Sequence, residues 1–162
     1  MKSKNSTIMP AWSGELVRIG AGDAGSVPSL MEMYRFFSPK PASLGVPPED
    51  HQTCDKWVKR LFEIGENVLA WRGNSPIGHA ALVPDRNGKS GEFMVFVHQA
   101  YRQFGIGTEL TRFTLEKARG LGFDSVWLTV ALTNFVAIKL YRKFGFAFCD
   151  AEPYERTMMV RL

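Results

Sequence analysis

Residues 15–19 (E-L-V-R-I) alternate polar and apolar positions, as a strand with one buried face does. Leu30, Met33, Tyr34 and Phe37 then recur at helical spacing in a stretch opened by Asp23. Ser38-Pro39 ends that stretch, because a residue before proline is pushed out of helical geometry. A proline-rich connection over residues 39–48 leads to a second helix expected from Pro48, where proline suits the first turn and Glu49 and Asp50 favour the positive end of the helix dipole. Its inward positions are Trp57, Leu61 and Phe62.

The periodicity then shortens. Apolar runs at residues 67–71 and 77–83 flank the turn signal R-G-N-S-P, and a second turn, D-R-N-G, precedes a run at residues 91–97 (G-E-F-M-V-F-V). These three runs are expected to form an antiparallel meander. Beyond them the pattern predicts a helix over 107–121, a strand over 125–131, a helix over 135–144, a strand over 146–149 and a last strand over 156–162. Strands followed by alternating strands and helices predict an α/β class: a mixed, mostly antiparallel central sheet flanked by helices on both faces.

Composition narrows this picture. A chain of 162 residues, 45% hydrophobic and 22% charged, suits one domain that buries roughly 70% of its unfolded surface. Residues 1–14 carry no continuous apolar run and read as a flexible tail, leaving 15–162 as a single domain. No stretch approaches the length of a membrane span, so a cytoplasmic protein without a membrane partner is expected. Cys54 and Cys149 are too few for a disulfide framework, and His51, His79 and His98 have no metal-ligand spacing. No metal is expected. The net charge of +4 suits an anionic ligand, while the scattered basic residues argue against nucleic acid.

The candidate chemistry begins after the run at 91–97. Residues 102–107 (R-Q-F-G-I-G) join a strand to an amphipathic helix, and glycines there let the backbone approach a ligand while the first N–H groups of the helix face a phosphate. A dinucleotide fingerprint is excluded, because Leu110 stands where a third small residue is needed and the preceding strands form a meander. G-K-S at 88–90 is not a P-loop, because Val83 occupies the place of its first glycine and no helix follows. Asn134, Ala137 and Tyr141 share one face of the later helix, which Gly145 can terminate. No histidine is paired with a nucleophile and an orienting acid, and His98 reads as structural.

Together these residues resemble the GNAT superfamily of acetyltransferases over most of the chain. Arg102, Gly105 and Gly107 meet the family's R/Q-x-x-G-x-G/A signature, and residues 134–146 (N-F-V-A-I-K-L-Y-R-K-F-G-F) match its N-x-x-A-x-x-L-Y-x-x-x-G-F segment. The resemblance implies a GNAT fold and an N-acetyltransferase using acetyl-CoA as co-substrate by direct attack in a ternary complex. It implies that the backbone of Phe96 and Val97 pairs with the pantetheine arm. It further implies that Arg102, Gln103, Phe104, Gly105, Ile106, Gly107 and Thr108 enclose the pyrophosphate, and that Asn134 and Tyr141 complete the cofactor site. Glu92 matches the place of a general base and Tyr141 that of the acid that protonates the CoA thiolate. A base matters because deprotonating an amine of pKa ~10.4 at pH 7 costs about 4.6 kcal/mol.

The resemblance implies a small-molecule amine or a protein lysine as the acceptor. Residues 34–39 (Y-R-F-F-S-P) are similar to a segment of Pat-type protein lysine acetyltransferases, which keeps the second choice open. A non-catalytic acyl-CoA sensor is a third reading, and the resemblance is compatible with a homodimer.

Overall fold

The computed structural model describes residues 6–10, 14–39 and 46–162. Among them, eight strands form one sheet in the order β1-β2-β3-β4-β5-β6-β8-β7. The strands are β1 (Ser6–Pro10), β2 (Leu16–Ala21), β3 (Glu66–Arg72), β4 (Ser75–Pro84), β5 (Ser90–Val97), β6 (Ser125–Ala131), β7 (Ala147–Phe148) and β8 (Glu155–Arg161). Every neighbouring pair is antiparallel except β5 with β6. The expected mixed, mostly antiparallel sheet is the one adopted, including the meander of β3, β4 and β5.

Four helices cover the sheet: α1 (Val27–Arg35), α2 (His51–Ile64), α3 (Ile106–Gly120) and α4 (Phe135–Lys143). Side chains alternate across a strand, so each strand feeds two cores. On one face Leu30, Met33 and Tyr34 of α1 and Cys54 and Val58 of α2 pack on Leu69, Trp71 and Phe96. On the other, Ile106, Leu110 and Leu115 of α3 and Ile138 and Tyr141 of α4 pack on Val68, Ala80, Leu82, Phe93, Val126 and Leu128. Helices on both faces therefore follow directly from the strand pattern. Gly78 lets α3 come this close, because a Cβ there would lie 2.8 Å from Leu110 Cδ1.

Two local outcomes differ from expectation. Residues 6–10 of the expected tail form β1, paired with β2 from Ser6 opposite Gly20 to Pro10 opposite Leu16. Their composition gives no hint of this, because the pairing comes from backbone groups that the edge of β2 leaves open. The second helix starts at His51 instead of Pro48, because Asp50 accepts from Thr53 N–H at 2.8 Å and from Thr53 Oγ1 at 2.7 Å and so caps it. Most of the proline-rich connection, residues 40–45, lies outside the described residues.

A buried polar chain joins the helices to the sheet. Asn67 donates through Nδ2 to Leu61 O at 2.9 Å and Gly65 O at 3.2 Å, which turns its Oδ1 toward His79 Nε2 at 2.9 Å. Nε2 must therefore carry the proton, and Nδ1 accepts from the Tyr34 hydroxyl at 2.7 Å. Burial lowers the His79 pKa to about 3 and raises that of Tyr34, so both groups are neutral around pH 7.

Candidate functional site

β5 is paired to β4 from Gly91 to Val97, but its pairing with β6 ends early. Only Ser90 with Ser125, Gly91 with Val126 and Glu92 with Trp127 are matched. β6 then continues against β8 as far as Ala131. From Phe93 to Val97, β5 therefore lacks a strand partner on this side, although Val97 O accepts from Arg102 Nε, and the sheet opens between its two halves. Free backbone groups at such an edge accept an extended chain as an added strand.

Hydrogen bonding fixes which residues face the opening. His98 N–H donates to Ile77 O at 2.9 Å and Asp85 N–H donates to Ser90 O at 2.8 Å, so the even-numbered residues of β5 turn their backbone groups to β4. Phe93, Val95 and Val97 turn theirs to the opening. This corrects the expectation for Phe96: its amide and carbonyl face β4, while its ring packs against Tyr34, Phe37 and Trp57. Of the two residues expected to offer their backbone, Val97 faces the opening, and so does Val95.

Past β5 the chain makes a 3-10 turn (Gln99–Tyr101) and enters α3 through two left-handed residues, Gln103 at φ 68° and Gly105 at φ 82°. Gly105 is the N-cap and has no side chain to satisfy the helix start, so the N–H groups of Ile106, Gly107 and Thr108 form a donor set at the positive end of a 15-residue helix. A Cβ on Gly107 would lie 3.5 Å from Leu140 and 3.7 Å from Val97, which places this turn against both α4 and the end of β5. An extended chain on the β5 edge would meet the donor set where the strand ends. Gln103 and Phe104 are exposed, and the Ile106 side chain is buried, so Ile106 offers only its backbone.

Arg102 does not reach across this turn. Its Nε donates to Val97 O at 2.9 Å and its guanidinium lies 5.2 Å from the centre of the Phe37 ring. His98 accepts from Ala100 N–H at 3.2 Å, a turn-forming bond, and burial followed by the Arg102 charge lowers its pKa. Asn134 caps α4 by accepting from Ala137 N–H at 3.2 Å, so one of its side-chain groups is already engaged.

Glu92 and Tyr141 lie on opposite faces of the sheet. Glu92 shares the α1/α2 face with Met94 and Phe96 and is half-buried at the last matched pair before the opening. Burial and then the Asp85 carboxylate raise its pKa. Tyr141 is 7% exposed on the α3/α4 face, with its ring centre 6.3 Å from Phe93 and 5.8 Å from Phe146. Apolar burial raises its pKa to about 12. Phe93 follows Glu92 in sequence and touches Tyr141, so the two titratable groups flank the fork where β5 and β6 part.

The sequence pattern alone did not single out Asp85 or Trp127, which stand beside Glu92; Asp85 read only as a turn residue. A cavity of about 350 Å³ bounded by Met33, Phe36, Pro76, His98 and Tyr101 lies on the β4 side of β5, away from the opening. Among the described residues no group of three or more His, Cys, Asp or Glu is placed to hold a metal ion. None of the described helices is long and apolar enough to cross a membrane.

Residues 28–146 match the model of the acetyltransferase (GNAT) family. N-alpha-acetyltransferase 50 of Danio rerio is 29% identical over 103 residues, covering 60% of this chain and 61% of that protein. Streptothricin acetyltransferase of Streptomyces lavendulae is 41% identical over 63 residues, covering 38% and 33%. The matched segment thus spans between one third and about three fifths of these relatives. Among solved structures, the GNAT domain of S. lividans PAT superposes with a TM-score of 0.79 at 16% identity, covering 100% of this chain and 99% of that one. The yncA protein of Salmonella typhimurium, solved with acetyl-CoA, gives 0.70 at 17% identity, covering 90% and 94%.

Proposed function

The chain belongs to the acetyltransferase (GNAT) family, and from that premise we propose that it transfers an acetyl group from acetyl-CoA to a primary amine within a ternary complex. The observation that carries this reading is the free edge of β5 running into the uncapped start of α3. Val95 and Val97 would hold the amide-bearing arm of the cofactor by backbone hydrogen bonds. Ile106, Gly107 and Thr108 would hold the pyrophosphate by their N–H groups, with Gln103 and Phe104 beside them. Arg102 contributes positive charge from the end of β5. Asn134 and Tyr141 of α4 form the far wall.

Acetyl-CoA supplies a thioester whose C–S bond is exchanged for the amide C–N bond, releasing CoA thiol. Glu92 takes the proton that the acceptor nitrogen must lose, and its raised pKa makes it a stronger base than an ordinary glutamate. Tyr141, protonated throughout the neutral range, holds the proton that the departing sulfur requires. No covalent enzyme intermediate is needed.

Release of CoA thiol over a panel of primary amines and a protein lysate tests the proposal. Turnover should fall by about 100-fold or more in Glu92→Gln and in Tyr141→Phe, the range for loss of a general base or acid. Binding of CoA should survive both changes. Absence of thiol release with every amine and with the lysate would leave a binding protein and defeat the enzymatic reading.

A further inference from the structure

Asp85 is held with unusual thoroughness for a turn residue. Its backbone N–H pairs with Ser90 O, its carboxylate accepts from Ser90 Oγ, and both carboxylate oxygens accept from Trp127 Nε1, at 3.1 and 3.4 Å. Val83 stands opposite Glu92, so Asp85, two residues along β4, emerges on the same face as Glu92 and is its diagonal neighbour. Trp127 stands opposite Glu92 on the other side, in β6. An indole rooted in β6 that bonds Asp85 at the end of β4 must span β5 beside Glu92.

We infer that Asp85, locked by Trp127 and Ser90, is a positioning residue that sets how firmly Glu92 holds a proton during acetyl transfer. This rests on Glu92 being the base proposed above. The indole spanning β5 adds to the burial of Glu92, and the fixed Asp85 carboxylate opposes a second negative charge beside it. Both effects strengthen Glu92 as a base, in agreement with the direction of its shift. Among the described residues, Asp85 is the charged group that acts on Glu92. Glu155 and Arg161 of β8 share this sheet face at other positions, and Arg86 and Lys89 lie in the β4–β5 turn. Tyr34 and Cys54 belong to the buried cluster under α1 and α2, and His79 is bonded to Tyr34 there; Tyr34 and His79 are uncharged near pH 7.

The test is a direct titration of Glu92 by carboxyl-carbon NMR on the 162-residue chain labelled at glutamate, with Glu92→Gln identifying the resonance. Asp85→Asn keeps an acceptor for Trp127 and Ser90 but removes the charge. Its Glu92 midpoint should fall by about half a pH unit or more, taking a like charge at about 7 Å even under water-like screening. Trp127→Phe keeps an aromatic ring but frees Asp85, and should also lower the midpoint. A Glu92 midpoint that stays put in a folded Asp85→Asn protein would overturn the inference. If instead Glu92→Gln retains full CoA release, the base assignment is what fails, so the two failures are distinct.

Discussion

His79 makes the stability of this fold depend on pH in a defined window. Its imidazole is fully buried, neutral and bonded on both sides, and its pKa is about 3 against 6.5 for a free histidine. Between those values the unfolded chain binds a proton that the folded chain excludes. Unfolding then takes up a proton, so stability falls as pH falls through this window and is fully present above about pH 6.5. The loss from this one group approaches one RT·ln10 step per pH unit, or about 3 kcal/mol between pH 7.5 and 4.5. Urea unfolding followed by tryptophan fluorescence reads it, since Trp57 and Trp71 pack in the same cluster. His79→Gln cannot titrate but can accept from Tyr34 and donate to Asn67, and its stability should fall less steeply over the same range. Carboxylates contribute equally to both proteins and cancel in the difference. Parallel stability curves for the two proteins from pH 7.5 to 4.5 would refute the argument.

Two glycine substitutions test how the helix start is built. Gly105→Ala imposes a Cβ at φ 82° and should cost about 1–2 kcal/mol, seen as a fall in Tm of roughly 2–8 °C. Gly107→Ala, whose Cβ meets neighbours only at 3.5 Å and beyond, should leave Tm nearly unchanged in the same thermal scan. Gly78→Ala would drive a Cβ to 2.8 Å from Leu110 and 3.3 Å from Ile106, costing about 1–3 kcal/mol in urea unfolding. Because Ile106 opens α3, calorimetric titration with CoA should show weakened binding in the same variant, and an unchanged affinity would separate the packing from the site.

Much of the fold was legible because its signals are local. The alternation of residues 15–19 and 125–131, the turns at 72–76 and 85–88, and the helical spacing of Ile106, Leu110 and Phe113 depend only on neighbours in the chain. The strand at residues 6–10 was not legible, since pairing with the edge of β2 is made by backbone groups that every sequence carries. The same distinction divides the site. Arg102, Gly105 and Gly107 marked a glycine-spaced turn into a helix, and the family resemblance alone put forward Glu92 and Tyr141 as candidates for moving protons. Which backbone groups of β5 face the opening depends on the phase of its pairing with β4, and that phase assigned the free edge to Val95 and Val97 instead of Phe96.

The sequence by itself determined the order of strands and helices and the glycine-spaced turn into α3, because these follow from periodicity and local chemistry. Only the tertiary structure decided where β5 parts from β6, which face each proton-carrying group occupies, and that Trp127 reaches across β5 to hold Asp85 beside Glu92. Those outcomes depend on register and packing between segments up to 42 residues apart, and no local pattern in the chain encodes them.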